Sequence, residues 1–198
     1  MNKERTLFFE NQSRHRLGNV DAPLELVQYG DFLCEYCAAV YPAIKELVEK
    51  LGNNIRFVFR HFPLHSVHPL AVEAAKAAEA AARQGKFWYM HDMIFENQKY
   101  LLRSSFSGFA EAIDLDLKSF EESRGHKSLL QNVVNDFESG HKLGVNYTPA
   151  FFINGKRYNG FDDFESLYRT CNYTLHCQGA VMQARSRVDL QRSGYPLG

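Results

Sequence analysis

Two strand-like runs with a helix-like run between them constrain this chain of 198 residues more than any other feature. Leu24-Glu25-Leu26-Val27-Gln28-Tyr29 reads as a strand, and Gly30-Asp31 breaks it. From Cys37 the apolar residues recur at Val40, Tyr41, Ile44, Leu47, Val48 and Leu51. That spacing is helical, and Gly52-Asn53-Asn54 stops it. Pro42 lies inside this helix and is expected to kink it, because it has no N–H for the carbonyl four residues back. Ile55 to His61 is a second strand. Strand, turn, helix, strand begins a right-handed parallel crossover.

The next stretch reads as helical. Pro69 suits a first helical position, and Leu70 to Gln84 is rich in alanine. Phe87 to Gln98, Asp116 to Arg124 and Lys127 to Leu143 follow, with Ser104 to Ser107 and Gly125 as breaks. Residues 68–143 therefore form a helical insertion between two sheet halves. Glu73 and Glu79 read as the solvated face of the alanine-rich helix, and Trp88 and Tyr89 as packing residues. Pro149 to Ile153 is a strand, Asn154-Gly155 a hairpin turn, and Lys156-Arg157-Tyr158 the return. Asp162 to Cys171 is a last helix, with Phe164, Leu167, Tyr168 and Cys171 on one face. The division is an N-terminal arm over 1–15, one α/β domain over 16–175 and an unassigned tail over 176–198.

An apolar fraction of 45% supports a large core and excludes disorder as the main state. Lys plus Arg and Asp plus Glu number 23 each, so bulk charge points to neither nucleic acid nor an anionic membrane. Residues 1–16 hold no apolar run like that of a secretory signal. The charge-free stretch Leu143 to Gly155 is too short to span a bilayer. The expectation is a soluble cytoplasmic chain; an exported chain after processing has the same features. Without heptads or a separate dimerisation segment, a monomer is expected.

Four cysteines are too few for a disulfide scaffold in a chain this long. Cys34-Glu35-Tyr36-Cys37 stands where a strand gives way to a helix. A thiol there faces unpaired backbone N–H groups and the positive end of the helix dipole, which favours thiolate. Cys37, one turn further on, is more buried and placed to resolve a mixed disulfide. A redox dithiol is the leading reading. A purely structural pair and a zinc site completed by Cys171 and Cys177 are the rivals. Cys171 fits an apolar helix face, and a Cys171–Cys177 disulfide requires the chain to turn between them. His61, His65 and His68 cluster in sequence, but their spacing is not that of one helix face, so no metal site is read there. Asp31 reads as a turn or helix-entry residue, with proton relay as the lesser alternative.

Four stretches carry a resemblance. They are Gly18 to Pro23, Tyr29-Gly30-Asp31-Phe32 with the dithiol, Phe59 to Leu64, and Thr148-Pro149-Ala150-Phe151-Phe152-Ile153-Asn154-Gly155. With the helical insertion, they resemble the DsbA-like branch of the thioredoxin superfamily over residues 16–172. The resemblance implies a thioredoxin-like fold with a helical insertion between the sheet halves. It implies that Cys34 attacks and forms the mixed disulfide, and that Cys37 resolves it. It also implies a cis Pro149, with Thr148 beside it offering backbone hydrogen bonds to an extended substrate. The substrate would be a cysteine-bearing polypeptide, the other partner a thiol/disulfide redox protein, and no metal or organic cofactor is expected.

Three positions depart from the family pattern or modulate the dithiol. Relatives carry an acid six residues before the first cysteine; here that residue is Gln28, which cannot take a proton from the resolving thiol. Glu35 brings negative charge beside Cys34, opposes the dipole and is expected to make a weaker oxidant. Tyr36 fills the other intervening position. The expected activity is thiol–disulfide exchange on protein cysteines, its direction unresolved. Two alternatives stand beside it: a reductase of a small oxidant or one specific partner, and a peptide-binding, holdase-like module in which the dithiol is incidental or regulatory.

Overall fold

In the computed structural model, residues 15–160 and 163–177 are described. The arm expected over 1–15 and the tail over 176–198 therefore fall almost wholly outside the described residues. Five strands form one sheet in the order β1-β3-β2-β4-β5. They are β1 (His15–Gly18), β2 (Leu24–Gly30), β3 (Ile55–His61), β4 (Ala150–Ile153) and β5 (Lys156–Arg157). β2 and β3 are parallel, with Leu24 opposite Ile55 and Gly30 opposite His61. β1 joins β3, β4 joins β2 and β5 joins β4, all antiparallel.

Side-chain alternation explains why both sheet faces are covered. Leu24, Leu26, Phe57, Phe59, Phe151 and Ile153 enter one core. Val27, Tyr29, Val58, Ala150 and Phe152, the intervening residues, enter the other. α1 (Glu35–Leu51) packs Val40, Ile44 and Leu47 onto the first face. Pro42 lies within α1, which is one continuous element. A last helix over 164–177 adds Leu167 and Cys171 to the same core.

Between β3 and β4 come α2 (Ala71–Ala82), α3 (Phe87–Glu96), α4 (Ser105–Ala112), α5 (Leu117–Gly125) and α6 (Lys127–Lys142). The alanines of α2 are buried almost all round the helix, so small side chains let its neighbours approach closely. α6 comes close to the second sheet face at Gly140. A Cβ there would stand 2.8 Å from the rings of Phe62 and Tyr29.

Tyr89, read as a packing residue, is exposed, and the structure corrects the sequence reading in four further places. Residues 15–18 form a strand, so the sheet starts inside the expected arm. Ser105–Ala112 is a helix where serines read as a break, because Phe106 and Ala110, one turn apart, are both buried. The last helix continues to 177, past the expected end at Cys171. Cys171 is buried, Cys177 is exposed, and both are free.

The last correction is Glu79. It is 2% exposed rather than solvated. His15 Nε2 lies 2.6 Å from its Oε1, and Asn132 donates to Oε2 at 2.6 Å. Burial alone would raise this carboxyl, but the two histidines beside it, His15 and His61, hold it well below the usual carboxylate range. His61 thus belongs with His15 and Glu79, and not with His65 and His68.

Candidate active site

β2 ends at Gly30, and the chain turns through residues 31–34 into α1. Gly30 has no side chain because the Phe59 ring occupies that space: a Cβ would meet it at 2.6 Å. Asp31 fixes the turn. Its Oδ1 accepts from the Leu33 N–H at 2.8 Å. Its Oδ2 accepts from the Leu64 N–H and faces His68 Nδ1, both at 2.8 Å. One buried carboxylate therefore ties the turn after β2 to the loop after β3.

Gln98 holds the same turn from the helical insertion. Its amide donates to the carbonyls of Phe32 at 2.8 Å and Cys34 at 2.9 Å. Nothing in the local sequence links Gln98 to a turn more than sixty residues away, and it was not foreseen as part of the site. Gln98→Ala is expected to destabilise the fold by about 1–3 kcal/mol, the cost of leaving these carbonyls unmatched. Denaturant unfolding measures this; a change under about 0.5 kcal/mol would mean that water replaces the amide.

Cys34 precedes the first residue of α1 in an extended conformation. Its Sγ–H donates to the Thr148 carbonyl at 3.3 Å. The Thr148–Pro149 peptide is cis. Thr148 and Pro149 are buried beside the dithiol. Cys37 is fully buried.

The two thiols are driven apart in acidity. Cys34 is lowered to about 5, chiefly by a hydrogen bond from Cys37. Burial opposes this, while the Thr148 side chain and the backbone N–H groups of Cys37 and Tyr36 add to it. Cys37 is raised by burial and by the neighbouring Cys34. One thiol is therefore disposed to ionise near neutral pH, and the other to keep its proton.

A groove of about 370 Å³ opens above Cys34. Leu33, Glu35, Tyr36, Leu64, Tyr147 and Thr148 line it, with His68 at its side. Tyr36 and Tyr147 are exposed at its margins. Gln28 is buried in β2 and faces a separate cavity of about 110 Å³ with Tyr41, His91 and Asp92.

A family model described as thioredoxin matches residues 10–172. The chain belongs to the thioredoxin family. Within that family its fold matches DsbA-like exchange proteins. The thiol-disulfide exchange protein alpha-DsbA2 of Wolbachia pipientis superposes with a TM-score of 0.74 at 22% identity, covering 86% of this chain and 94% of that one. BdbD of Bacillus subtilis gives 0.71 at 23% identity, covering 81% and 92%.

Sequence likeness within the thioredoxin family points elsewhere by name. The chain is 42% identical over 153 residues to a Na(+)/H(+) antiporter NhaA 1 of Salinispora arenicola, covering 77% of this chain and 23% of the relative. It is 43% identical over 157 residues to an antiporter of the same name from Mycolicibacterium gilvum, covering 78% and 25%. The chain spans about a quarter of the length of these curated relatives. Among the described residues, no helix is long and apolar enough to cross a membrane.

Proposed function

We propose that this thioredoxin-family domain is a thiol–disulfide oxidoreductase that passes its disulfide to cysteine-bearing polypeptides. The observation that carries this is geometric: Cys34 stands at the N-terminus of α1 beside a buried Cys37, and its Sγ meets the Thr148 carbonyl at 3.3 Å under an open groove.

In the oxidised protein, a substrate thiolate attacks Cys34 Sγ. The Cys34–Cys37 bond breaks, and Cys37 leaves with the electron pair and takes a proton. A second substrate thiolate then attacks its own sulfur in the mixed disulfide. Cys34 leaves as a thiolate, which its low pKa makes easy. The substrate loses two electrons and two protons, and the dithiol is left reduced. The groove between Tyr36 and Tyr147 receives an extended chain, with the backbone at Thr148 as its hydrogen-bonding partner. The exposed Glu35 works against the acidity of Cys34, so the protein is a milder oxidant than its geometry alone would make it. The ion exchange named for the antiporter relatives is not carried over, because the likeness is confined to about a quarter of their length.

Equilibration against glutathione mixtures, with trapping of free thiols, measures the reduction potential. A value of roughly −120 to −180 mV is expected, since a stabilised reduced form is a better oxidant. A value near roughly −270 mV would overturn the direction and favour a reductase. Cys34→Ala separates exchange from peptide binding: exchange falls to background, whereas a holdase-like module would keep its activity.

A further inference from the structure

Three buried ligand-type side chains meet away from the dithiol. They come from β1, β3 and α2: His15, His61 and Glu79. Each is at most 5% exposed. One donor atom from each lies within 4.8 Å of the others. His15 Nε2 is 2.6 Å from Glu79 Oε1, and His61 Nε2 is 3.3 Å from the same oxygen. The His61 nitrogen makes no hydrogen bond, although the residue is 1% exposed.

We propose that His15, His61 and Glu79 form a binding site for a first-row divalent transition metal, with zinc as its chemical type. Two imidazoles and one carboxylate are the donor set of three-ligand zinc sites, whereas calcium and magnesium take oxygen. Zinc–ligand distances of about 2.0–2.2 Å need donors roughly 3.3–3.6 Å apart. The His61–Glu79 separation already falls there, and the His15–Glu79 contact must open slightly. The surroundings hold the donors in place. Asn132 fixes Glu79 through Oε2, and the His15 ring stacks on Phe87 with centroids 3.5 Å apart. Such outer partners orient ligands at metal sites.

Two of the three donors also adjoin open space. A chamber of about 520 Å³ is lined by His15, Glu79, Arg83, Ser128 and Asn132. It supplies an entry path and room for water, and the cationic Arg83 on its wall suits an anionic fourth ligand. The bound ion would join β1, β3 and α2, so its effect is structural: it fastens the sheet margin to the helical insertion.

Thiolates also bind zinc, so the test uses the full chain carrying Cys34→Ser, Cys37→Ser and Cys177→Ser. After chelator treatment, zinc chloride is titrated in and followed by calorimetry and thermal unfolding. One equivalent per chain is expected, with Kd below about 10 μM. Tm should rise by about 5 °C or more at zinc near 100 times Kd. Asn132→Ala should weaken binding about 10- to 100-fold, and His15→Gln or Glu79→Gln by more. No saturable binding at about 1 mM zinc overturns the proposal. So does stoichiometric binding that His15→Gln and Asn132→Ala leave unchanged, since the ion would then sit elsewhere. If Glu79→Gln does not fold, His15→Gln on the outermost strand and Asn132→Ala decide the question without it.

Discussion

A chain carrying Cys37→Ala is expected to stop at the mixed disulfide. Reduced Cys34 still attacks a substrate disulfide, but no second thiol sits beside it to release the product. A non-reducing gel should show a near-stoichiometric covalent adduct where the native chain shows none, with turnover at background. The same variant removes the hydrogen bond that chiefly lowers Cys34. In the native chain, alkylation of Cys34 should be flat above about pH 6 and fall tenfold per unit below a midpoint of about 5. In Cys37→Ala that midpoint should move up toward an ordinary thiol. An unmoved midpoint would show that Cys37 is not what makes Cys34 acidic.

The sign of the linked stability follows. Cys34 has a depressed folded pKa, so its thiolate stabilises the folded, reduced protein fully above the unfolded thiol value of about 8.5. That stabilisation is lost as pH falls through about 5. The oxidised protein has no such group. The stability of the reduced form relative to the oxidised form should therefore grow from about pH 5 to about pH 8, as paired melting curves would show.

Asp136→Ala is expected to cost about 3–5 kcal/mol of folding stability. Asp136 is 3% exposed, and its carboxylate meets Arg60 Nη1 at 3.1 Å and the His61 N–H at 3.2 Å. Arg60 is 1% exposed. Removing the acid takes this carboxylate from a guanidinium held in an apolar interior. For a chain this size the loss corresponds to a Tm fall of about 6–20 °C. The surface pair Lys45–Asp92, half-exposed on the lysine side, should be worth at most about 1 kcal/mol. Denaturant midpoints for Asp136→Ala and Lys45→Ala compare the two, and equal losses would refute the ranking.

What the sequence made legible follows one physical line. β2, α1 and β3 were readable because their apolar periods are set by the core they face. Cys34, Cys37, Thr148 and Pro149 were readable as a pattern, and Cys34 and Thr148 meet at 3.3 Å in the fold. Glu79 was misread because its partners, His15 and His61, arrive from distant strands, and an alanine-rich helix carries no local sign of them. α4 was missed because Ser105, Ser107 and Gly108 are poor helix formers, overridden by burial of Phe106 and Ala110. The Gln98 clamp joins positions 66 and 64 residues apart, beyond any local pattern.

The two margins of the sheet have a consequence for self-association. β5 is only the two charged residues Lys156–Arg157. On the opposite side, the Trp88 indole N–H occupies the Arg16 carbonyl of β1 at 3.0 Å. Neither described margin offers a long, flat, apolar row of free backbone groups, the template on which another chain could grow as an added strand. An extended chain lying in the Cys34 groove would therefore find no ready sheet edge beside it on which to add as a further strand.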